Sequence, residues 1–507
     1  MAIRKHARSG GILLHPTSLP TEYGIGDLGP AAHHWIEWLN ESGCKLWQVL
    51  PLGPTGYGDS PYQSFSSFAG NPMLISIDVL MREGLLSSAD LEPLPEFPAD
   101  RVSYRDVIPL KRRLLGVAFQ RFADGETVKL IDEFHAFRKE NESWLMDYAL
   151  FMALKGAHGG AAWTSWEPAL VKRRPKALRE AERRLDSEIE RVCFQQFIFF
   201  RQWARVRAKA NELGIKLIGD VPIFVAHDSA DVWVNPHLFI LDEAGIPTVV
   251  SGVPPDYFSA TGQRWGNPIY RWDHMEADGF KWWVQRFRAV LSLVDFVRLD
   301  HFRGFEAYWE IPAEYPTAEK GRWVPAPGEK LLELLRKELG ELPIIAEDLG
   351  VITPEVESLR DGFDLPGMRI LQFAFEGKPD DEFLPHNYPR RTVVYTGTHD
   401  NDTSKGWYEA APETVQDFCR RYLASDGNHI AWDMIRAIWG SVAELAVAPM
   451  QDFLELGSEA RMNFPGRAEG NWNWRMQEAH LTPELAASVR ELNFLYDRLP
   501  KNDFKSQ

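Results

Sequence analysis

The chain has 507 residues, of which 45% are apolar and 25% are charged. This balance is typical of a globular protein and excludes a disordered, collagen-like or coiled-coil chain. Asp and Glu outnumber Lys and Arg by 72 to 56, a net charge of −16 that disfavours binding to the phosphate backbone of nucleic acids.

Cysteine content and apolar runs bear on the location of the protein. Cys44, Cys193 and Cys419 are too few and too dispersed for a disulfide framework or a zinc site. The apolar run at 12–14 is far shorter than the core of a signal peptide, and no run approaches the ~18 apolar residues of a membrane span. The sequence therefore predicts a cytoplasmic protein without membrane contact, and leaves open a plastid protein whose transit peptide was removed.

Eight short apolar runs alternate with helical patterns, an arrangement typical of a parallel sheet. The runs lie at 11–14, 45–50, 215–218, 294–299, 343–346, 368–371, 392–395 and 445–448. Helices are predicted at about 30–42, 180–213 and 329–339, and a further helix begins with Thr353 as N-cap and Pro354 as its first residue.

Polar or ionisable residues follow seven of these eight runs. They are His15, Asp220, Asp300, Glu347, Gln372, His399 with Asp400, and Gln451 with Asp452. Active sites of (β/α)8 barrels are built from the carboxyl ends of different strands. A doubly wound sheet also places chemistry at strand ends, but it usually has fewer strands, and no glycine-rich phosphate loop follows the first run. We therefore predict an α/β fold, a (β/α)8 TIM barrel that forms one catalytic domain over 1–507.

Two gaps between the predicted strands are too long for ordinary connections, which in α/β units have about 2–6 residues beside the crossover helix. Residues 53–215 separate the second and third strands, and residues 221–293 separate the third and fourth. We expect both to be insertion subdomains that form the walls of a substrate groove. Within the second, the Gly- and Pro-rich segment 252–268 is predicted to be a lid loop over the groove.

Three acids follow the fourth, fifth and seventh predicted strands: Asp300, Glu347 and Asp400. A pair of carboxyl groups at a barrel mouth suits retaining glycosyl transfer, in which one attacks the anomeric carbon and the other donates and later accepts a proton. Arg298 lies two residues before Asp300 on the same strand face, and its charge would keep Asp300 ionised. Glu347 must begin protonated, so we expect its site to be drier or more negative.

The strings Arg298-x-Asp300-His301, Glu347-Asp348 and His399-Asp400-Asn401 resemble the catalytic regions of the α-amylase clan. Further strings narrow the resemblance to the 4-α-glucanotransferases, the amylomaltases or disproportionating enzymes of glycoside hydrolase family 77. They are 15–20 (HPTSLP), 23–28 (YGIGDL), 58–63 (GDSPYQ), 219–224 (GDVPIF), 252–256 (GVPPD), 262–268 (GQRWGNP) and 461–466 (RMNFPG). The resemblance runs from about residue 9 to 495.

The resemblance implies a retaining double displacement on α-1,4-glucans and maltooligosaccharides, with glucose or another glucan as acceptor and without metal or cofactor. Asp300 would be the nucleophile, Glu347 the general acid/base, and Asp400 the group that stabilises the transition state. The further substrate-binding residues would be Arg298, His301, His399, Asp220, Asp59, Ser60, Tyr62, Asp256, Gln263, Trp265 and Asn463.

Two other functions stay open at this stage. An α-1,4-glucan hydrolase of the same clan, of the α-amylase or α-glucosidase type, would form the same covalent intermediate and resolve it with water instead of a sugar hydroxyl. A catalytically inactive glucan-binding protein would share the groove, but it would gain nothing from keeping all three acids.

Overall fold

The computed structural model describes residues 8–125, 128–255, 259–467 and 469–499. In these residues twelve strands run in chain order as β1 Ser9–Leu13, β2 Leu46–Gln48, β3 Lys216–Val221, β4 Val249–Val253, β5 Gln263–Pro268, β6 Phe296–Leu299, β7 Ala307–Pro312, β8 Arg322–Pro325, β9 Ile344–Ala346, β10 Gly367–Ile370, β11 Thr392–Tyr395 and β12 Leu445–Pro449.

The same residues form eighteen α-helices: α1 Pro30–Glu41, α2 Ile77–Arg82, α3 Tyr104–Ala123, α4 Val128–Glu140, α5 Leu145–Ala157, α6 Pro168–Val171, α7 Pro175–Arg184, α8 Asp186–Glu212, α9 Ala230–Val234, α10 Trp272–Ala277, α11 Lys281–Leu293, α12 Gly328–Leu339, α13 Pro354–Gly362, α14 Ser404–Ala410, α15 Glu413–Leu423, α16 Ile430–Gly440, α17 Met450–Phe453 and α18 Pro483–Leu495. None of the helices in the described ranges is both long and apolar enough to cross a bilayer.

Eight parallel strands form the barrel, in the order β10-β11-β12-β1-β2-β3-β6-β9 among the described residues. Between β9 and the start of β10, the backbone N–H of Ala346 donates to the carbonyl of Pro366 at 2.9 Å, which brings the two ends of the sheet together. Each predicted apolar run overlaps one of these strands. The predicted (β/α)8 barrel is confirmed.

Barrel strands are apolar because both of their faces are covered. Every residue of β2, β6, β9 and β12 is buried. On the outside, α1 presents Trp35 and Trp38 to the barrel, and the Trp35 ring meets Trp47 of β2 edge-on at 6.3 Å. The predicted helix over 180–213 is instead two helices, because the backbone leaves the helical region at Leu185 (φ −111°, ψ 17°) between α7 and α8.

Residues 53–215 contain helices α2 to α8, and the 27-residue α8 packs against α3, α4 and α5. Gln196 of α8 is hydrogen bonded twice to the backbone of Gly70, at 2.7 and 2.9 Å. A Cβ on Gly70 would lie 1.9 Å from the Phe199 ring, so only glycine allows this approach. These contacts fix the segment around Gly70, which follows β2, to helix α8 of the same insertion. The division of the chain into subdomains stays a prediction.

A second, antiparallel sheet has the strand order β5-β4-β7-β8 in the described chain, and the eight predicted runs do not include any of these strands. Its strands β4 and β5 are the two ends of the segment predicted to be a lid loop. The described parts of that segment are therefore two paired strands, called here the β4–β5 hairpin, and β7 supports them by pairing with β4 from Val249 to Gly252.

A buried ion pair joins the insertion to the barrel. Lys111 of α3 is 0% exposed, and its Nζ lies 3.8 Å from Asp27 Oδ2 and donates to the carbonyl of Ile75 at 2.6 Å. The Asp27 carboxylate also accepts from the backbone N–H of Gly29. Burial raises the pKa of Asp27 and lowers that of Lys111, so each charge depends on the other.

We expect Lys111→Ala to lower the free energy of unfolding by about 3–5 kcal/mol, because it leaves Asp27 as a buried charge without its partner. Denaturant unfolding measures the change. The double variant Asp27→Asn/Lys111→Met should lose clearly less, and Lys176→Ala, at an exposed ion pair with Glu180, should lose less than about 1 kcal/mol. Equal losses in the single and double variants would contradict the ion pair's importance.

Candidate active site

A cleft of about 800 Å³ opens at the carboxyl ends of the barrel strands. The three predicted acids all line it: Asp300 directly follows β6, Glu347 directly follows β9, and Asp400 lies in the loop after β11. Parallel pairing of β6 with β9 places Leu299 beside Ala346, so the next residues, Asp300 and Glu347, leave adjacent strands at the same level.

Glu347 is held by the backbone. The N–H of His301 donates to its Oε2 at 2.7 Å, and the N–H of Leu349 donates to its Oε1 at 3.1 Å. His301 adopts the left-handed conformation with φ 51°, which is uncommon for a residue other than glycine. The left-handed residue after β6, His301, is therefore the one whose N–H donates to Glu347.

Glu347 is only 8% exposed, and burial raises the pKa of its carboxyl to about 8. Within this net shift the negative charge of Asp300 also raises the pKa, while Arg298 and the N–H of His301 lower it. Burial is the largest of these effects. At neutral pH Glu347 thus carries a proton, as a general acid must before it acts.

Arg298 of β6 bridges two carboxylates. Its Nη2 lies 3.0 Å from Asp300 Oδ1, and its Nη1 lies 2.7 Å from Asp220 Oδ2. The Arg298 side chain is buried, whereas 29% of the Asp300 side chain is exposed towards the cleft. The predicted pairing of Arg298 with Asp300 is present in the structure, and it places a permanent cation behind the exposed carboxylate.

Asp220, predicted to bind sugar, lies beneath the cleft instead of lining it. Its side chain is fully enclosed, and besides Arg298 its Oδ2 accepts the hydroxyl of Tyr62 at 2.9 Å. Burial raises the pKa of Asp220, and the charge of Arg298 lowers it. In this geometry Asp220 acts on the cleft through the side chains of Arg298 and Tyr62.

Asp400 is the most exposed of the three acids, with 45% of its side chain accessible. Asn463 Nδ2 donates to its Oδ1 at 2.6 Å, and His399 Nε2 lies 3.4 Å from its Oδ2. Arg461 donates to the Asp400 backbone carbonyl at 2.7 Å. The predicted residues His399, Asp400 and Asn463 therefore form one connected group.

An aromatic group forms part of the cleft wall. The ring of Tyr62 stacks on His399 with centroids 5.0 Å apart, and Trp472 lies 5.7 Å from Tyr62. Ser60 lines the cleft and its hydroxyl accepts from the N–H of Tyr62, whereas its neighbour Asp59 is not among the described residues that line the cleft.

The β4–β5 hairpin forms another wall. Trp265 meets the ring of His301 edge-on at 4.8 Å, and its indole N–H donates to Gln263 Oε1 at 3.1 Å. Burial lowers the pKa of His301 to about 4, so its imidazole is neutral beside Trp265. The remaining predicted hairpin residue, Asp256, lies outside the described residues.

Several cleft residues were not among the predicted site residues, notably Arg303, Trp323, Phe373, Arg467 and Trp472. Arg303 lies 3.6 Å above the Trp323 ring, and its guanidinium donates to the carbonyl of Val351. Arg303 was open to prediction from its place three residues after Asp300. Trp323 was not, because it lies on β8, a strand that the apolar runs do not indicate.

The fold and cleft were compared with solved structures. The structure matches an amylomaltase from Streptococcus agalactiae in complex with acarbose, with a TM-score of 0.94 and 38% sequence identity over 97% of this chain and 100% of that one.

Sequence comparisons agree. A curated 4-alpha-glucanotransferase of Thermus thermophilus is 55% identical over 97% of this chain and 99% of its own length. A chloroplastic/amyloplastic 4-alpha-glucanotransferase of Solanum tuberosum is 44% identical over 96% of this chain and 85% of its own. The family model described as 4-alpha-glucanotransferase matches residues 14–482. The chain belongs to the 4-alpha-glucanotransferase family.

Proposed function

We propose that this protein is a 4-α-glucanotransferase that moves a segment of an α-1,4-glucan to the 4-hydroxyl of glucose or of another α-1,4-glucan by a retaining double displacement. The observation that carries the proposal is the different environment of two neighbouring carboxyl groups. Glu347 is buried with its pKa raised to about 8, whereas Asp300 faces the cleft beside the guanidinium of Arg298. One is suited to give a proton and the other to attack carbon.

In the first step, an oxygen of Asp300 attacks the anomeric carbon of the bound glucan. The bond from that carbon to the glycosidic oxygen breaks, and Glu347 gives its proton to the departing oxygen. The donor segment is then an ester of Asp300, and the released fragment leaves with a new hydroxyl group.

In the second step, the 4-hydroxyl of the acceptor attacks the same carbon and gives its proton to the Glu347 carboxylate. The bond to Asp300 breaks, and the carboxylate returns to its pair with Arg298. Two inversions leave the configuration of the anomeric carbon unchanged.

The remaining cleft residues would position the sugar. Asp400 is the exposed acceptor for sugar hydroxyls, held in place by Asn463 and His399. Tyr62 offers an aromatic ring whose hydroxyl is fixed by Asp220. Such groups stabilise the flattened, positively charged sugar of the transition state when they are set before the reaction begins.

The hydrolase alternative differs only in the second step, where water would replace the acceptor hydroxyl. The hairpin carrying Trp265 next to His301 favours transfer, because a wall beside the reacting carbon limits the approach of water. Keeping Asp300, Glu347 and Asp400 in one cleft argues against an inactive binding protein.

We place the protein in the cytoplasm, or in a plastid as the names of its plant relatives indicate for them. Cys44, Cys193 and Cys419 are free and buried, which suits a reducing compartment. Function without metal or cofactor stays a prediction, as does glucose as acceptor.

The direct test is incubation with maltotriose followed by separation of the products by size. We expect glucose together with a ladder of longer maltooligosaccharides, and Asp300→Asn should lower the rate at least about a thousand-fold because the nucleophile is lost. Asp273→Asn, at an exposed carboxylate that does not line the cleft, should keep the rate. Glucose and maltose without longer products would assign the protein to the hydrolases.

The pKa of Glu347 predicts the alkaline limb of the pH profile. Because the first step needs its proton, kcat/KM for maltotriose should hold through pH 7 and fall as the pH rises past about 8. In Glu347→Gln, α-glucosyl fluoride, whose leaving group needs no proton, should still react in the first step, and the alkaline fall should be absent. Glu355→Gln, at an exposed carboxyl, is the control. Equal loss with both substrates would remove Glu347 from the acid role.

Trp265→Ala should raise the share of donor that is lost to water, because it removes the hairpin ring beside His301. We expect a several-fold higher ratio of hydrolysis to transfer with maltotriose, measured as reducing ends formed against longer products. Trp265→Phe keeps a ring at this position and should stay close to the parent ratio. An unchanged ratio in Trp265→Ala would refute a role of this wall in excluding water.

A further inference from the structure

A second pocket of about 160 Å³ lies outside the cleft, among residues of α5, α9 and α11 and the segment after β2. In the described part of the chain it shares no lining residue with the cleft. We call it the side pocket and define it by Phe68, Trp144, Tyr148, Asn235, Trp282 and Gln285. Its volume is comparable with that of one pyranose ring.

The aromatic rings of the side pocket support one another. Phe68 lies nearly parallel to Trp144, with centroids 6.4 Å apart and 19° between the planes, and it meets Trp282 edge-on at 6.2 Å. Arg286 lies 5.2 Å from the Trp282 ring, and the Trp144 indole donates to Asn141 at 3.1 Å. The rings are therefore held in place without a ligand.

Two polar groups near the side pocket lack a hydrogen-bond partner within the described residues, and of these only the hydroxyl of Tyr148 is open to the pocket. Tyr148 is 3% exposed, and its hydroxyl makes no hydrogen bond within the described residues. Trp282 is 5% exposed, and its indole N–H is enclosed and unpaired in the same part of the chain. Because the hydroxyl of a buried side chain is normally hydrogen bonded, the unpaired hydroxyl of Tyr148 at this pocket points to a ligand that brings a hydrogen-bonding group.

The charges around the side pocket offset one another. Asp147 is paired with Arg173 Nη2 at 2.5 Å, and the positive charge of Arg286 faces Asp231 and lowers its pKa against the effect of burial. Asp278 and Lys281 bring one charge of each sign to the lining. A neutral ligand fits this balance better than an ammonium ion, which aromatic rings alone would also accept.

We propose that the side pocket binds a glucosyl residue of an α-glucan chain, separately from the cleft. The inference rests on the proposed function, which supplies the ligand class. The rings of Trp144 and Phe68 pack on the apolar face of the pyranose, while Tyr148 and the amides of Asn235 and Gln285 meet its hydroxyls. A long glucan held here reaches the cleft as a tethered donor or acceptor, at a raised effective concentration.

Hydrogen exchange on the full-length Asp300→Asn variant with maltoheptaose tests binding without turnover. We expect slower exchange in segments 143–148 and 281–285 as well as in the cleft. Adding Trp144→Ala should abolish the first effect and keep the second. Protection of the cleft alone, or protection of the side pocket by choline and not by maltoheptaose, would overturn the proposal.

Kinetics in the otherwise unchanged protein give a second measure. Trp144→Ala should raise the apparent KM for long amylose about five-fold and leave kcat/KM for maltotriose unchanged, because short chains gain nothing from a second contact. Gln285→Ala, at an exposed position, should shift the same way without risk to folding. Trp432→Ala, at a half-buried tryptophan of α16, is the matched control. Equal changes with both substrates would overturn the proposal, whereas failure of the parent protein to extend maltotriose would refute the proposed function itself.

Discussion

The guanidinium of Arg298 lies between the carboxyl groups of Asp220 and Asp300, and the charge balance of the acids at the cleft depends on it. One buried guanidinium faces two carboxyl groups, and the pKa of Glu347, within reach of the same charges, is raised to about 8. Without Arg298, burial and the charge of Asp300 would both oppose the ionised form of Asp220 with no cation to offset them. The guanidinium also holds Asp220 in place, which in turn fixes the hydroxyl of Tyr62.

The barrel strands fix the positions of these ionisable groups. Register between β6 and β9 sets Asp300 beside Glu347, and the left-handed backbone at His301 aims an N–H at the Glu347 carboxyl. Because the strands are buried on both faces and tied to each other by parallel pairing, these positions belong to the rigid part of the molecule. The insertions contribute the walls, namely Tyr62 from the segment fixed by α8 and Trp265 from the β4–β5 hairpin.

The barrel strands were predictable from sequence because parallel strands buried on both faces leave continuous apolar runs, and the three acids follow those runs directly. Strands β5, β7 and β8 contain Gly, Pro or charged residues, so their composition does not predict them as strands. They form because they pair with neighbouring strands at the edge of the cleft.

The split of the predicted helix at Leu185 lacks a Gly or Pro signal. Thr353 stands at the predicted N-cap of α13, but its side chain does not cap the helix. The enclosure of Asp220 beneath Arg298 depends on side-chain packing. The position of Asp220 at the end of a strand does not reveal this packing.

The two requirements on Glu347 conflict, since it must hold a proton in the first step and accept one in the second. The contacts of its carboxyl offer a physical solution. Burial and the charge of Asp300 favour the protonated form, while Arg298 and the N–H of His301 favour the anion. In the proposed reaction Asp300 becomes an ester and loses its charge after the first step. The contribution of Asp300 then disappears while the two groups that stabilise the anion remain, so the pKa of Glu347 falls when it must become a base. The same pair of carboxyl groups thus sets the acid for the first step and the base for the second.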